Sequence, residues 1–384
     1  MNSAVSGEIP GFYAIVPAGG SGTRLWPLSR AGSPKFLHDL TGSGKSLLRT
    51  TVDRLTPLCG GRLVVVTGTR HAEAVREQIP ELGQDDLIVE PSPRESMPAI
   101  GLAAALLEQL DPDAVLGSFA ADHVIVDDET FRDCVRQAVA VAHTGKLVTI
   151  GIEPTHAATG FGYIQTGDPL HIEGSPDALD VKAFVEKPDG ETAEQYVDSG
   201  EYRWNAGMFV VKASVLLDML AQYQPVMAHH LRSIANNPMR LNELWPRLTK
   251  IAIDPAIAEP AAVDDRVAVV PGAFGWDDVG DFASLASVLV ESADAPGVKV
   301  LGESELVVMQ DSTGVVAPRS GRTVVALGVE DVVVVDTPDA VLVTTRDRAQ
   351  DVKKIVEKLK LTGREDLTCC LLYTSDAADE GLGV

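Results

Sequence analysis

The feature that most constrains the fold is a short apolar run that breaks into a glycine-rich turn. Residues 13–16 read Tyr-Ala-Ile-Val, and residues 17–28 continue Pro-Ala-Gly-Gly-Ser-Gly-Thr-Arg-Leu-Trp-Pro-Leu. The apolar run predicts a buried strand, and the clustered glycines allow the following backbone to turn its N–H groups toward an anion. Arg24 and Lys35 add two cations suited to phosphate oxygens. The stretch therefore predicts a phosphate-binding loop at the end of a strand.

Common glycine motifs do not describe this loop. A Rossmann dinucleotide turn requires a third glycine at a position that Leu25 occupies. A nucleophile elbow requires glycine where this chain has Thr23. Further along, residues 42–46 read Gly-Ser-Gly-Lys-Ser like the end of a P-loop, but Asp39 stands at the position of its first glycine. The interpretation that is left is a phosphate-binding loop that carries its own arginine and lysine.

The charge balance of the chain argues against polyanionic partners. Lys and Arg number 32 against 55 Asp and Glu, which gives a net charge of −23 at pH 7. Nucleic-acid and anionic-membrane binders need a basic footprint, so we expect neither partner. No apolar run approaches the roughly 18 residues of a membrane span. The 4 cysteines lack zinc-ligand or redox spacing, which indicates the reducing cytoplasm.

Alternating strand and helix patterns from residue 13 onward predict the fold class. Brief β-branched runs bounded by turn residues indicate buried strands at 13–16, 62–67, 87–89, 115–119 and 147–151. Apolar residues at helical spacing lie between them, at 47–55, 72–79, 99–110 and 131–143. This alternation is typical of a parallel, doubly wound α/β sheet that binds ligands at the carboxyl ends of its strands.

The pattern changes after residue 295. Short β-rich runs recur at 305–308, 314–316, 323–327, 331–336 and 340–343. Regular short strands indicate an all-β unit, either a sandwich fragment or solenoid coils. The predicted organisation is an N-terminal extension (1–12), an α/β domain (13–295), a β-rich domain (296–346), a helix (347–362) and a tail (363–384). The tail is predicted to be disordered or foreign to the native gene.

The glycine-rich loop also carries a family resemblance. Residues 18–30, followed by Pro34-Lys35, resemble the signature of sugar-nucleotide pyrophosphorylases, and residues 26–30 (Trp-Pro-Leu-Ser-Arg) resemble the mannose-1-phosphate guanylyltransferase family. The resemblance extends from about Phe12 to Leu361. It implies a Rossmann-like nucleotidyltransferase domain with a doubly wound mixed sheet, followed by a short left-handed β-helix. Because that β-helix supports dimer contacts in related enzymes, the resemblance also implies a homodimer.

The resemblance implies a role for each residue of the loop. Nucleotide binding falls to Ala18, Gly19, Gly20, Gly22 and Thr23. Arg24 and Lys35 are the implied catalytic cations. Asp122 in Ala-Asp-His and Asp278 in Trp-Asp-Asp-Val-Gly match positions where the family holds Mg²⁺, with Asp277 as an adjacent competitor. Taken alone, an aspartate such as Asp122 directly after a strand more often caps a helix.

Later segments resemble the family's sugar and base elements. The implied sugar-phosphate residues are Gly162, Glu186, Lys187 and Asn205. The resemblance implies that the carboxylate of Glu186 accepts hydrogen bonds from sugar hydroxyls and that Lys187 contacts the phosphate. The loop that faces the nucleotide base supplies Glu90, Arg94 and Pro98. At Glu95-Ser96 this loop departs from the usual pattern, which leaves its base contacts open.

These expectations combine into one reaction, the transfer of GMP from GTP to α-D-mannose 1-phosphate with Mg²⁺ as cofactor. The nucleophile is already an anion, so no general base is required. A pyrophosphorylase for another sugar 1-phosphate or nucleoside triphosphate stays open because of Glu95-Ser96. A non-catalytic regulatory homologue is a second alternative, although it would not need both cations and both metal carboxylates.

Overall fold

Two compact units make up the chain. The computed structural model describes residues 7–20, 22–292 and 295–369. The first unit contains the residues up to Gly19 together with Leu48–Trp276. The second contains Gly20–Leu47 together with the residues from Asp277 onward. The glycine-rich loop therefore begins in the first unit and continues in the second.

A mixed sheet forms the centre of the first unit. Its described strands are β1 (Phe12–Ala18), β2 (Leu63–Gly68), β3 (Leu87–Glu90), β4 (Val115–Ser118), β5 (Val124–Ile125), β6 (Leu147–Ile152), β7 (Gly162–Pro169), β8 (Leu179–Glu186), β9 (Tyr202–Lys212) and β10 (Val267–Gly272). All but β5 join the sheet, in the order β3-β2-β1-β4-β9-β6-β10-β8-β7. A short strand, β11 (Trp276–Asp277), lies at the boundary between the two units.

Both strand directions occur in this sheet. β1 pairs in parallel with β2 and β4, and β6 pairs in parallel with β10. β9 pairs antiparallel with β4 and β6, and β7 pairs antiparallel with β8. The wholly parallel sheet expected from the alternation alone is therefore wrong, and the mixed α/β sheet implied by the resemblance is confirmed. Since β1 and β4 are parallel neighbours, their carboxyl ends lie at the same edge.

Helices cover this sheet. They are α1 (Leu47–Cys59), α2 (Ala72–Gln78), α3 (Ser96–Leu110), α4 (Asp128–Ala142), α5 (Gly190–Ser199), α6 (Ala213–Tyr223), α7 (Pro225–Asn236), α8 (Leu241–Leu244) and α9 (Glu259–Val263). Asp127 begins α4 because its side chain accepts the N–H groups of Glu129 and Thr130. α3 is apolar on nearly every face and is buried against α6 and α7.

The second unit contains stacked coils of short strands. These are β12 (Val298–Val300), β13 (Val307–Gln310), β14 (Gly314–Pro318), β15 (Val324–Leu327), β16 (Val332–Asp336) and β17 (Val341–Thr345). β12, β14 and β16 pair in parallel in one sheet, while β13 and β15 pair in parallel in another. Because successive strands alternate between the two sheets, the chain winds as a solenoid rather than folding as a sandwich fragment.

Short helices complete the second unit. They are α10 (Phe282–Val288), α11 (Val352–Leu361) and α12 (Asp366–Cys369), with a 3₁₀ segment at Arg346–Asp351. α12 falls in the segment that the sequence assigns to the tail. It packs onto residues 26–31, which we call the signature loop. Trp26 Nε1 donates to the Leu367 carbonyl at 2.8 Å, and the Ala31 N–H donates to the Thr368 carbonyl. Folded structure thus extends at least to Cys369, and residues 370–384 of the predicted tail lie outside the described residues.

A buried ion pair fastens the signature loop to the solenoid segment of the same unit. The guanidinium of Arg30 makes two 2.6 Å contacts with the two carboxylate oxygens of Asp339. Arg30 Nε also donates to the Pro27 carbonyl at 3.2 Å. Arg30 is only 2% exposed, so removal of the Asp339 carboxylate would take an acidic partner away from a buried charge.

We therefore expect Asp339→Ala to lower the free energy of unfolding by about 3–5 kcal/mol. The measurement is equilibrium denaturant unfolding of the purified variant. Lys354→Ala is the control because Lys354 forms an exposed pair with Asp351, so its loss should change little. An Asp339→Ala variant that unfolds at the same denaturant concentration as the parent would contradict this account.

Among the residues that the structure describes, no helix is both long and apolar enough to cross a membrane.

Candidate active site

The turn after β1 depends on glycines in the left-handed region. Gly20 has φ +87°, and Gly22 has φ +53° and precedes a 3₁₀ turn over Thr23–Leu25. A Cβ on Gly22 would lie 2.6 Å from Ser29 Oγ and 3.3 Å from Lys35 Cβ. Backbone conformation and available space therefore both require glycine at this point. The side chain of Lys35 therefore packs close to the backbone turn at Gly22.

Arg24 is oriented by a residue from far along the chain. Arg24 Nη1 donates to Gln350 Oε1 at 3.1 Å, and Gln350 Nε2 donates to the Asp281 carboxylate. Asp281 also accepts the backbone N–H groups of Ala283 and Ser284 at the start of α10. A guanidinium has five N–H donors, so one bond to Gln350 fixes its direction and leaves donors for a phosphate.

Arg24 and Asp278 meet at Gly280, and Lys35 contacts the backbone of Asp278. A Cβ on Gly280 would lie 3.3 Å from Arg24 Nη2 and 3.2 Å from each carboxylate oxygen of Asp278. Lys35 Nζ donates to the backbone carbonyl of Asp278 at 2.6 Å. The second unit thus brings two cations from separate segments next to Asp278, Arg24 at its carboxylate side and Lys35 at its backbone carbonyl. Such a group can neutralise a polyphosphate and a cation bound to it.

The carboxylate of Asp277 accepts hydrogen bonds from its own segment of the chain. Its carboxylate accepts the Val279 N–H at 2.6 Å, the Ser284 hydroxyl, and the Ser287 hydroxyl at 3.1 Å. Val279 is a buried β-branched residue with φ +44°, a conformation that requires outside support. Asp277 supplies that support, which favours Asp278 as the residue that faces a ligand.

Asp122 lies at the carboxyl edge of the sheet in the first unit. The Ala121 N–H donates to the Pro17 carbonyl at 3.1 Å, and Asp122 is the next residue. At the same edge, Thr67 Oγ1 donates to the Ala18 carbonyl at 2.7 Å and fixes the end of β1. The structure therefore places Asp122 beside the strand end that leads into the glycine-rich turn.

The predicted sugar-phosphate residues lie together in the first unit. Gly162 on β7 is opposite Glu186 on β8. A Cβ on Gly162 would lie 2.6 Å from Glu186 Oε2 and 3.4 Å from Asn205 Cβ. Lys187 forms an ion pair with the Glu186 carboxylate. The side chain of Glu186 thus occupies the space that the missing side chain of Gly162 provides.

Sequence reasoning missed Asp254, which belongs to the same cluster. Asn205 Nδ2 donates to Asp254 Oδ1 at 2.6 Å. Burial, with a smaller contribution from nearby Glu186, raises the pKa of Asp254 to about 6. The only signal in the sequence is an aspartate before Pro255 at the start of a helical segment, which reads as an ordinary helix cap.

The predicted base loop has mixed contacts. Burial raises the pKa of Glu90, at the end of β3, to about 7. The guanidinium of Arg94 donates to the carbonyls of Pro246 and Leu248 at 2.8 and 3.1 Å. Pro98 is buried in the first turn of α3. Arg94 therefore ties the loop to the segment at 246–248, and its contact with a nucleotide stays a prediction.

A row of aromatic rings connects the Asp122 turn to the sugar-phosphate cluster. His123 meets Trp276 edge to face with ring centroids 5.4 Å apart, and Trp276 meets Phe161 at 5.3 Å. Phe161 in turn meets Trp204 at 5.1 Å. Phe161 and Trp204 each directly precede a predicted sugar residue, so edge-to-face packing holds both segments in place.

Comparison with known proteins decides the family. The nucleotidyl transferase family matches residues 13–294, and the MannoseP isomerase/GMP-like beta-helix domain matches residues 304–359. Mannose-1-phosphate guanylyltransferase of Escherichia coli K12 is 39% identical over 365 residues, which cover 92% of this chain and 74% of that protein. The chain belongs to the mannose-1-phosphate guanylyltransferase family. It is accordingly an enzyme of the nucleotidyltransferase class.

Further members of the guanylyltransferase family show the same extent of similarity. Mannose-1-phosphate guanylyltransferase ManC of Salmonella typhimurium is 40% identical over 370 residues, covering 92% of this chain and 74% of that protein. A crystal structure from Thermus thermophilus, described as mannose-1-phosphate geranyltransferase, superposes with a TM-score of 0.81 at 34% identity. That match covers 91% of this chain and 99% of the other. The predicted order, nucleotidyltransferase domain then β-helix domain, is confirmed.

Proposed function

We propose that this enzyme transfers GMP from GTP to α-D-mannose 1-phosphate, forming GDP-mannose and pyrophosphate. The observation that carries the proposal is the placement of Arg24 and Lys35 next to Asp278, with Arg24 and the Asp278 carboxylate meeting at Gly280. The names of the relatives from Escherichia coli and Salmonella typhimurium support the choice of guanylyl group and of mannose. The cluster of Gly162, Glu186, Lys187 and Asn205 supports a sugar phosphate as the acceptor.

The proposed step is an in-line displacement at the α-phosphorus. An oxygen of the sugar phosphate forms the new P–O bond, and the bond to the β-phosphate oxygen breaks so that pyrophosphate leaves with the electron pair. The main obstacle is to bring two polyanions together and to stabilise the developing charge. Arg24 would neutralise the departing β- and γ-phosphates, and Lys35 would stabilise the α-phosphoryl group. The glycine-rich turn would add backbone N–H groups.

Mg²⁺ is the proposed cofactor, with Asp278 and Asp122 as carboxylate ligands. Among the described residues, no group of three or more His, Cys, Asp or Glu side chains could hold a metal ion. Mg²⁺ commonly takes one or two carboxylates together with substrate phosphates, so the donor chemistry of Asp278 beside Arg24 fits this ion. When bound, the ion would neutralise phosphate charge and orient the reacting groups.

We further propose that the enzyme acts as a homodimer in the cytoplasm. In the described chain, Cys59 and Cys134 are buried free thiols, and Cys369 is an exposed free thiol. Reducing compartments maintain thiols in this form. The dimer is proposed because the resemblance assigns dimer contacts to the β-helix, and sedimentation of the purified protein would measure it.

A panel of nucleotides tests the substrate assignment. Purified protein would receive Mg²⁺, mannose 1-phosphate and, separately, GTP, ATP, UTP, CTP or dTTP, and pyrophosphate release would be measured. We expect release with GTP alone. Release with another nucleotide would keep the reaction class and overturn the base assignment. The base loop is the segment concerned, because it departs from the family pattern at Glu95, which has φ +65°. No release with any nucleotide or hexose 1-phosphate would favour a non-catalytic homologue.

A further inference from the structure

The amide of Asn205 is fully specified by its neighbours. Its Oδ1 accepts the Thr149 hydroxyl at 2.9 Å and the Gly207 N–H at 3.1 Å, and its Nδ2 donates to Asp254 Oδ1 at 2.6 Å. The reversed amide would place Nδ2 against the Gly207 N–H, donor against donor, and Oδ1 against the Asp254 carboxylate, acceptor against acceptor. Both acceptor sites of Oδ1 are therefore used, and one Nδ2 hydrogen remains for a ligand. Asn205 can only donate to a sugar hydroxyl.

Asp254 is held in a defined position. It opens a π-helical turn over Asp254–Ala258, and such turns are frequent at functional sites. The preceding residue is fixed, because the Ile253 N–H donates to Ser96 Oγ at 3.0 Å. Ser96 is one of the residues at which the base loop departs from the family pattern. Since the carboxylate has about four lone-pair sites and Asn205 uses one of them, Asp254 retains acceptor capacity.

The charged groups near Asp254 include a second carboxylate as well as a cation. Glu186 carries a like charge near Asp254 and raises its pKa, while Lys187 is the nearby cation that lowers it. Lys187 is itself paired with Glu186 and is largely exposed. A half-buried carboxylate beside another carboxylate costs stability, so its presence here points to a ligand that donates hydrogen bonds. Sugar hydroxyls are such donors.

We infer that Asp254 is a specificity-determining residue that, with Asn205, recognises two hydroxyls of the hexose 1-phosphate. Asn205 Nδ2 donates to one hydroxyl oxygen, and the Asp254 carboxylate accepts the hydrogen of another. A rigid donor placed 2.6 Å from a rigid acceptor selects for the relative orientation of the two hydroxyls. An epimer with one of these hydroxyls inverted would lose one bond. The inference deepens the proposed function and rests on it for the class of sugar.

The test combines kinetics with direct binding. Asp254→Asn preserves the shape and can still accept from Asn205, but it removes the charged acceptor. We expect it to raise the KM for mannose 1-phosphate by roughly tenfold or more, the effect of a hydrogen bond to a charged group. The KM for GTP should stay within about twofold, since Asp254 lies in the sugar cluster, and the preference for mannose over glucose and galactose 1-phosphates should narrow.

Glu259→Gln is the matched control because it removes a negative charge that also lies near Glu186. Its KM for mannose 1-phosphate should stay close to that of the parent. Equal increases in the KM for mannose 1-phosphate in the two variants would show that the effect depends on charge alone and would overturn the inference. An unchanged sugar preference in Asp254→Asn would also overturn it. Thermal unfolding of each variant would show that the fold is retained, and Asp254→Ala provides a second variant.

Calorimetry separates this inference from the proposed function. Mannose 1-phosphate would be titrated into the parent and into Asp254→Asn, with and without α,β-methylene-GTP, which cannot release pyrophosphate. Weaker binding by the variant supports the inference even if turnover with GTP is absent. Equal binding by both proteins, or no binding by the parent, overturns it, while pyrophosphate release in the nucleotide panel still decides the proposed function.

Discussion

Arg24→Ala and Lys35→Ala are each expected to lower kcat by roughly 10²–10³ while the protein stays folded. Each cation is held before substrate arrives, Arg24 by Gln350 and Lys35 by the Asp278 carbonyl. A donor fixed in this way stabilises transition-state charge without reorganisation, so its loss acts on the chemical step. Steady-state pyrophosphate release and far-UV circular dichroism are the measurements.

Lys45→Ala is the matched control for both variants. Lys45 lies in the glycine-rich segment that imitates a P-loop, a segment to which the resemblance assigns no role in the phosphate site. We expect its kcat to remain within about twofold of the parent, as for a substitution away from the chemistry. A large loss in Lys45→Ala together with normal turnover in Lys35→Ala would assign the phosphate site to the wrong loop.

Asp278→Asn and Asp277→Asn are expected to fail in different ways. Asp278→Asn should keep its stability and lose kcat by roughly 10² or more, because the loss of a metal ligand removes several kcal/mol of charge stabilisation. Its activity should also require more Mg²⁺. Asp277→Asn should lower the free energy of unfolding by about 1–3 kcal/mol, because Val279 N–H and two serine hydroxyls lose their charged acceptor.

The measurements for this pair are kcat as a function of Mg²⁺ concentration and equilibrium unfolding. The two variants control each other, since they are adjacent and remove the same charge. If Asp277→Asn had normal stability and a raised Mg²⁺ requirement while Asp278→Asn behaved like the parent, the metal ligand would be Asp277 and not Asp278.

Local patterns in the sequence are sufficient for much of the fold. The apolar run at 13–16 predicts a buried strand, which the structure extends to Phe12–Ala18. The recurring short strands after residue 295 indicate an all-β unit, but only pairing shows that they wind as a solenoid. Pairing joins residues that are distant in the chain, and the side-chain period alone does not specify it.

The site shows the same division between local and distant contacts. The glycine-rich loop, Lys35 and Asp278 carry local motifs, and the structure brings Lys35 and Asp278 together. Gln350 has no motif, because its contact with Arg24 joins residues 326 positions apart. Asp254 resembles a helix cap in the sequence, and only its contact with Asn205 distinguishes it. Roles for the individual site residues remain predictions that the variants above test.

The most direct test of the central claim is the fate of labelled phosphate from GTP. With mannose 1-phosphate and Mg²⁺, the account predicts that label from [α-³²P]GTP appears in a sugar nucleotide and that label from [γ-³²P]GTP appears in pyrophosphate. The Arg24→Ala variant should lose both signals together. Transfer of the γ-label to the sugar, or its release as orthophosphate without a labelled sugar nucleotide, would contradict attack at the α-phosphorus and the function proposed for this enzyme.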